Sequence, residues 1–202
     1  MLLSNMRYYF FRHGESEANR ENLFTYKKIN PHLTEKGVEQ ARKMGEFVKD
    51  IPIQKVFVSP LIRAQETAGL IFPGRELLTE ENLIETNVGI LDGKNHKDPV
   101  NWKIYKDVVD AWEAGDNTAR VEGGESNDEI KARLIKMLYR VNSECTESAA
   151  LVAHSDVLRS FFFLFCQNHG KHMQDNYMDK GRMTIVTRDA GVYMIEKFNL
   201  QP

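Results

Sequence analysis

The sequence predicts an α/β fold with a largely parallel sheet, and three observations carry that reading. Short apolar runs rich in aromatic and β-branched residues recur at "YYFF" (8–11), "KVFVSP" (55–60) and "AALVA" (149–153). Segments with a helical period separate them. Each run also stops abruptly at polar residues, as strands do when they leave a sheet toward a ligand-binding edge. Alternation of short strands with amphipathic helices is the signature of a sheet covered by helices.

Taken in order, "YYFF" is too short for a helix and reads as a buried strand, with Arg12 and His13 the first residues past its end. In "LTEKGVEQARKMGEFVKD" (33–50), Val38, Ala41, Met44, Gly45 and Val48 share one helical face, and Thr34 is placed to cap it. "KVFVSP" is a second strand. Ser59 and Pro60 read as an N-cap and the first helical position of the segment "LIRAQETAGLIF". Ser126 and Glu129 have capping-box spacing ahead of a stripe of Ile130, Leu134, Met137, Leu138 and Val141. "AALVA" is a third strand, ending at His154. "SDVLRSFFFLFC" after it reads as a buried helix, with Phe161, Phe162, Phe163, Phe165 and Cys166 in the core. "MTIVT" (183–187) and "VYMIEKF" (192–198), joined by "RDAG", predict a closing hairpin.

A chain of 202 residues fits one domain and can bury roughly 70% of its unfolded surface without disulfides or metal. At 42% hydrophobic and 28% charged residues the composition is that of an ordinary globule. The formal net charge of −2 supplies no field for nucleic acid or an anionic membrane. Any anion must therefore be held by a few placed arginines. Cys145 and Cys166 form no CxxC pattern or disulfide framework, and the N-terminal stretch 1–11 lacks the apolar core of a signal peptide. Both point to a reducing, cytoplasmic setting. The most apolar stretch, 157–166, is too short to span a membrane and carries Arg159.

If the three strands are parallel neighbours, their exits bring Arg12, His13, Ser59, Arg63 and His154 to one edge. Arginine offers a planar fork of donors matched to phosphate oxygens. Helix N-termini near Ser59 and Ser155 would add backbone amides. A histidine among cations is held neutral, and its lone pair can attack phosphorus. The leaving oxygen then needs a proton, and Glu85 in "NLIETNVGILDG" is the candidate donor, since a carboxyl beside phosphate oxygens is kept in its acid form. Ordinary alternatives stand beside these roles. Arg63 would also serve as a surface ion-pair residue, Asn19 as a loop cap, and Glu85, like Glu80 and Glu81, as a solvated carboxylate.

These residues carry a family resemblance. "RHGESEAN" is similar to the opening R-H-G-E-S-x-x-N signature of the histidine phosphatase superfamily, phosphoglycerate mutase-like branch. "SPLIRAQET", "LIETNVGILDG", "GGES" (123–126) and "LVAHSDVLR" resemble its later blocks, in order, over residues 7 to about 160. The resemblance implies a three-layer sandwich, a mostly parallel mixed sheet with helices on both faces, and a cap-like insertion at about 86–122. It implies His13 as nucleophile, Glu85 as proton donor, and Arg12, Asn19, Arg63, His154 and Ser155 around the phosphoryl group. Neither cofactor nor metal is implied, and the implied partner is a small phosphorylated substrate, with a phosphoprotein left open. The alternatives to a phosphatase are a cofactor-dependent phosphoglycerate mutase and a non-catalytic phospholigand-binding protein.

The departures favour hydrolysis. Family mutases carry tryptophan where Ala18 stands, and arginine and tyrosine where Thr86 and Val88 stand. They also have an adjacent arginine pair that this chain lacks between 86 and 123. Ser155 replaces the usual glycine after the second histidine, a change its backbone amide tolerates. Between 94 and 120, Trp102, Tyr105, Trp112, Lys94, Lys97, Lys103 and Lys106 are open to two compatible readings: a cover gripping the substrate, or an amphipathic helix packed on the domain. "HGKH" (169–172) has no carboxylate or cysteine completing a metal set and reads as a polar loop.

Overall fold

A computed structural model describes residues 5–202. The reading of 1–11 as lacking a signal peptide falls partly on residues 1–4, which lie outside the described residues. Six strands form one sheet: β1 (Met6–Arg12), β2 (Lys55–Val58), β3 (Leu77–Thr79), β4 (Ser148–Ala153), β5 (Met183–Asp189) and β6 (Val192–Leu200), in the order β3-β2-β4-β1-β5-β6. The first four are mutually parallel, while β5 and β6 run antiparallel as the expected hairpin. At its turn Ala190 and Gly191 both take positive φ.

Alternation along β1 divides the core. Tyr8 and Phe10 point to one face, with α4 (Pro99–Glu113), α5 (Asn127–Glu144) and α6 (Ser155–Phe165). Tyr9 and Phe11 point to the other, with α2 (Glu35–Val48) and α3 (Ile62–Ile71). The result is the expected three-layer α/β sandwich. A short helix, α1 (Glu17–Arg20), follows β1.

Local sequence explains most boundaries. Thr34 Oγ1 accepts from Gly37 N at 3.1 Å and starts α2. Ser126 and Glu129 make the reciprocal capping box of α5, and Ile130, Leu134, Met137, Leu138 and Val141 are all buried. Each of these follows the sequence reading. Two details differ. Helix α3 starts at Ile62, with Leu61 at the N-cap and no side-chain bond; Ser59 lies two residues ahead of the cap, where its Oγ accepts from Leu61 N at 3.4 Å and meets His154 Nε2 at 2.6 Å. In α6, Phe161 and Phe162 are fully buried, but Phe163 and Phe165 are only half-buried, since they lie off its sheet-facing stripe.

Among the described residues no helix is long and apolar enough to cross a membrane, and Cys145 and Cys166 are free and buried.

Candidate active site

The ladder β1-β4-β2 ends in register. His13 N donates to Ala153 O at 3.1 Å, and Ser59 N donates to Val152 O at 3.0 Å. Strand exits that are neighbours in the ladder therefore deliver His13, Ser59 and His154 side by side. Arg12 is the last residue of β1 rather than the first beyond it, and Arg63 is the second residue of α3. The rings of His13 and His154 lie 5.1 Å apart. All four side chains of Arg12, His13, Arg63 and His154 are buried.

Two glycines let the "RHG" turn sit where it does. A Cβ on Gly14 would lie 2.4 Å from Gly37 O, and one on Gly37 would lie 2.0 Å from Glu15 O. The turn thus seats backbone to backbone on the start of α2. Thr67 ties it to α3, accepting from Gly14 N at 3.1 Å while donating to Arg63 O at 2.7 Å.

The hydrogen bonds define the chemistry of His13. Its Nδ1 lies 2.7 Å from Gly14 O, so Nδ1 carries the proton and Nε2 the lone pair. Arg63 Nε donates toward that Nε2 at 3.3 Å. Burial first, then the charges of Arg63 and Arg12, hold His13 well below the ordinary histidine range. Like charge alone was the expected cause; desolvation is the larger one. His154 is depressed in the same way, by burial and then Arg63. Burial brings Arg63 down to about 10, which leaves it cationic at neutral pH.

Both arginines keep donors in reserve. Arg12 bonds the Met178 carbonyl and stacks 4.8 Å over Tyr177, and Arg63 Nη2 reaches Thr25 O at 3.3 Å. Arg12 Nε, Arg63 Nη1 and His154 Nδ1 are buried and find no partner among the described residues. Buried unpaired donors carry a desolvation cost of roughly 1–3 kcal/mol each. Ser59 Oγ accepts from Leu61 N at 3.4 Å and so donates to His154 Nε2, which puts the His154 proton on Nδ1, and an oxyanion would match all three donors.

Glu85 is 9% exposed and lines the same cleft. Its Oε1 accepts from Thr86 N at 2.9 Å, Asp156 N at 3.1 Å and Val157 N at 3.0 Å. The N-terminal amides of α6, expected to face phosphate, thus hold this carboxyl; the first amide of α3 is likewise taken, by Asn30 Oδ1 at 3.0 Å. Burial and the neighbouring Asp156 push Glu85 above the usual carboxylate range, against the pull of the Thr86 amide and Arg63. Asn19 also lines the cleft, and its Oδ1 accepts from Ser16 N at 3.1 Å, so the capping role and the cleft position coexist. Ser155 stands at the cleft as well.

Sequence reasoning overlooked the residues that hold these groups in place. Arg133 bonds Glu125 and the carbonyls of Asn82 and Ile84, and Glu125 accepts from Asn87 N, which fixes the loop bearing Glu85. That is the work of the "GGES" stretch. Asp156, Tyr105 and Arg159 form a second set, with Tyr105 and Arg159 buried: Tyr105 donates to Asp156 Oδ2 at 2.8 Å and accepts from Arg159. The charged Asp156–Arg159 spacing at i, i+3 was the signal available.

Helix α4 packs on the domain and also reaches the cleft. Val109 and Trp112 pack into the core, whereas Trp102 and Tyr105 line the cleft. Lys103 and Lys106 pair with Asp107 and Asp110 on the helix surface. In "HGKH", His169 Nδ1 bonds Gly170 O and His172 Nδ1 meets Glu113.

The cleft over His13 measures about 280 Å³. A larger depression of about 460 Å³ lies between α2 and α3, lined by Arg42, Glu46, Arg75 and apolar residues. Lys49 lines it too, but no histidine, cysteine or serine does, so size does not locate the chemistry here.

A three-layer α/β sandwich that gathers two neutral histidines, two arginines and a protonatable carboxyl at its strand ends suits an enzyme acting on phosphate esters. The comparisons agree. Residues 8–201 match the Histidine phosphatase superfamily (branch 1). The 2,3-bisphosphoglycerate-dependent phosphoglycerate mutase of Allorhizobium ampelinum is 32% identical over 200 residues, covering 93% of this chain and 88% of its own. A putative alpha-ribazole-5'-P phosphatase from Escherichia coli superposes with a TM-score of 0.80 at 23% identity, over 96% of both chains. Bacillus stearothermophilus YhfR gives 0.80 at 25% identity, also over 96% of both. The chain belongs to the histidine phosphatase superfamily, phosphoglycerate mutase-like branch.

Proposed function

We propose that this protein is a phosphomonoester hydrolase that works through a covalent phosphohistidine on His13. The observation that carries the reading is the neutral Nε2 of His13, set among buried donors of Arg12, Arg63 and His154 that lack partners among the described residues. In the first step the Nε2 lone pair attacks phosphorus in line and the ester P–O bond breaks. Glu85 protonates the departing alcohol oxygen. Arg12, Arg63, Asn19 and His154 stabilise the equatorial oxygens, with Ser155 at the edge of the same site. In the second step water attacks phosphorus, Glu85 takes its proton, and the P–N bond breaks to return His13 and free phosphate. No metal takes part. Residues of the insertion at about 86–122 cover the site through α4.

Hydrolysis is preferred to mutase chemistry because a bisphosphorylated acid needs cations that this cleft does not offer. The adjacent arginine pair of family mutases is missing, and the single Arg120 is bound to Glu129. Rapid quench into base after mixing with p-nitrophenyl phosphate should trap acid-labile phosphate on the wild type. His13→Ala should trap none and lose turnover, and EDTA should leave the wild type active. Turnover by His13→Ala at the wild-type rate, or conversion of one phosphoglycerate isomer to the other faster than phosphate release, would overturn the proposal.

A further inference from the structure

We infer that the alcohol half of the substrate is uncharged and presents an apolar, preferably aromatic, face to the cleft. The inference rests on the hydrolase reading for its reaction and on the cleft beyond His13 for its specificity.

The first argument is charge. A phosphate dianion is met by Arg12 and Arg63. A third buried guanidinium, Arg159, also lines the cleft, but its charge is already answered. Its Nη2 stands 3.4 Å from Asp156 Oδ1 and donates to the Tyr105 hydroxyl. No lysine lines the cleft among the described residues. His96 is held below the ordinary histidine range by burial and then by Lys97, and so adds no cation. Lys180 acts through space on His13 and also on Glu15, outside the lining. A second anionic group on the substrate would find no unpaired cation among the lining residues, since Lys97 and Lys180 reach the cleft only through space. Arg159 Nε, buried and without a partner among the described residues, leaves one donor for an uncharged oxygen.

The second argument is shape and chemistry. Phe24, His96, Trp102 and Tyr105 form one aromatic wall: Phe24 lies 5.1 Å from Tyr105 and 5.7 Å from His96, and Trp102 lies 5.4 Å from Tyr105. Trp102 is 44% exposed although it is among the largest apolar side chains, and it stands in the cleft lining. A flat apolar group against that wall would cover it and gain offset or edge contacts.

The test measures binding by calorimetry with three phosphonates that share an ethylene spacer and cannot be hydrolysed: 2-phenylethyl-, propyl- and 2-carboxyethylphosphonate. The phenyl ligand should bind at least about ten-fold more tightly than the other two, the scale of one aromatic contact. Trp102→Ala should remove that preference and Trp102→Phe should keep it. Equal affinity of the phenyl and propyl ligands, tighter binding of the carboxylate ligand, or a preference that survives Trp102→Ala would overturn the inference. If the ranking holds while 2-phenylethyl phosphate releases no phosphate, the hydrolase reading alone fails.

Discussion

Replacing Glu85 by glutamine separates its proton from its shape. Glutamine Oε1 can still accept from the amides of Thr86, Asp156 and Val157, which lie 2.9–3.1 Å from the present oxygen. The loop and the start of α6 therefore stay in place, and vanadate affinity should change little. What is lost is the proton for the leaving oxygen. General acids contribute ~10²–10⁴-fold, or about 2.7–5.4 kcal/mol of barrier. An alkyl alcohol is a poor leaving group and needs that proton; p-nitrophenolate does not. In single turnovers by rapid quench, the phosphorylation step with an alkyl phosphate should slow by about 10²–10⁴-fold, and with p-nitrophenyl phosphate by less than about ten-fold. The pH profile gives an independent reading. Alkyl ester cleavage needs Glu85 protonated, so its basic limb lies above the usual carboxylate range and should vanish in Glu85→Gln. Stability moves with the same proton. Because the folded value is raised, the wild type loses stability relative to Glu85→Gln as pH climbs from about 4.3 through that value, at about 1.4 kcal/mol per unit. Equal losses for both esters would refute the acid role. Asp156 would then be the next residue to test, since it lines the cleft and Glu80 and Glu81 do not.

Other perturbations follow from the same geometry. Arg63→Met removes a charged donor to the phosphoryl oxygens, worth about 1.5–3 kcal/mol, so vanadate inhibition should weaken roughly 10- to 150-fold; an unchanged inhibition constant would take Arg63 out of the site. Gly37→Ala puts a methyl 2.0 Å from Glu15 O, and urea unfolding should show a loss of at least about 1–3 kcal/mol, with reduced activity as the "RHG" turn is displaced. His154 is buried neutral, with its folded value depressed, so the unfolded chain binds its proton first as pH falls below about 6.5. Wild type should therefore lose about 1.4 kcal/mol more per pH unit in that window than His154→Asn, and parallel pH curves would show that His154 titrates normally.

Much of this protein was legible in its sequence because local rules decide it. The periodicity of 33–50 and of 130–141 depends on which side chains share a helical face; the second face is buried throughout, and in the first Ala41, Met44 and Val48 are buried while Val38 and Gly45 are half-buried. Capping at Thr34 and Ser126 involves residues three apart in the chain. The abrupt ends of the strands at His13, Ser59 and His154 already named the edge that carries the site. Two local readings gave way to tertiary contacts: the Ser59 hydroxyl meets His154 Nε2 at 2.6 Å and the helix starts two residues later, and the amides at the start of α6 face Glu85.

The residue types at the centre, two histidines, two arginines and a glutamate, were thus determined by the sequence alone. Their protonation was not. Neutrality of His13 comes first from burial beneath segments far away in the chain, and the raised acid of Glu85 comes from burial and Asp156, 71 positions on. The aromatic wall was equally out of reach, since Phe24 and Tyr105 meet only when α4 lies over the strand ends. Desolvation and through-space charge depend on distances between segments, and those exist only once the chain has folded.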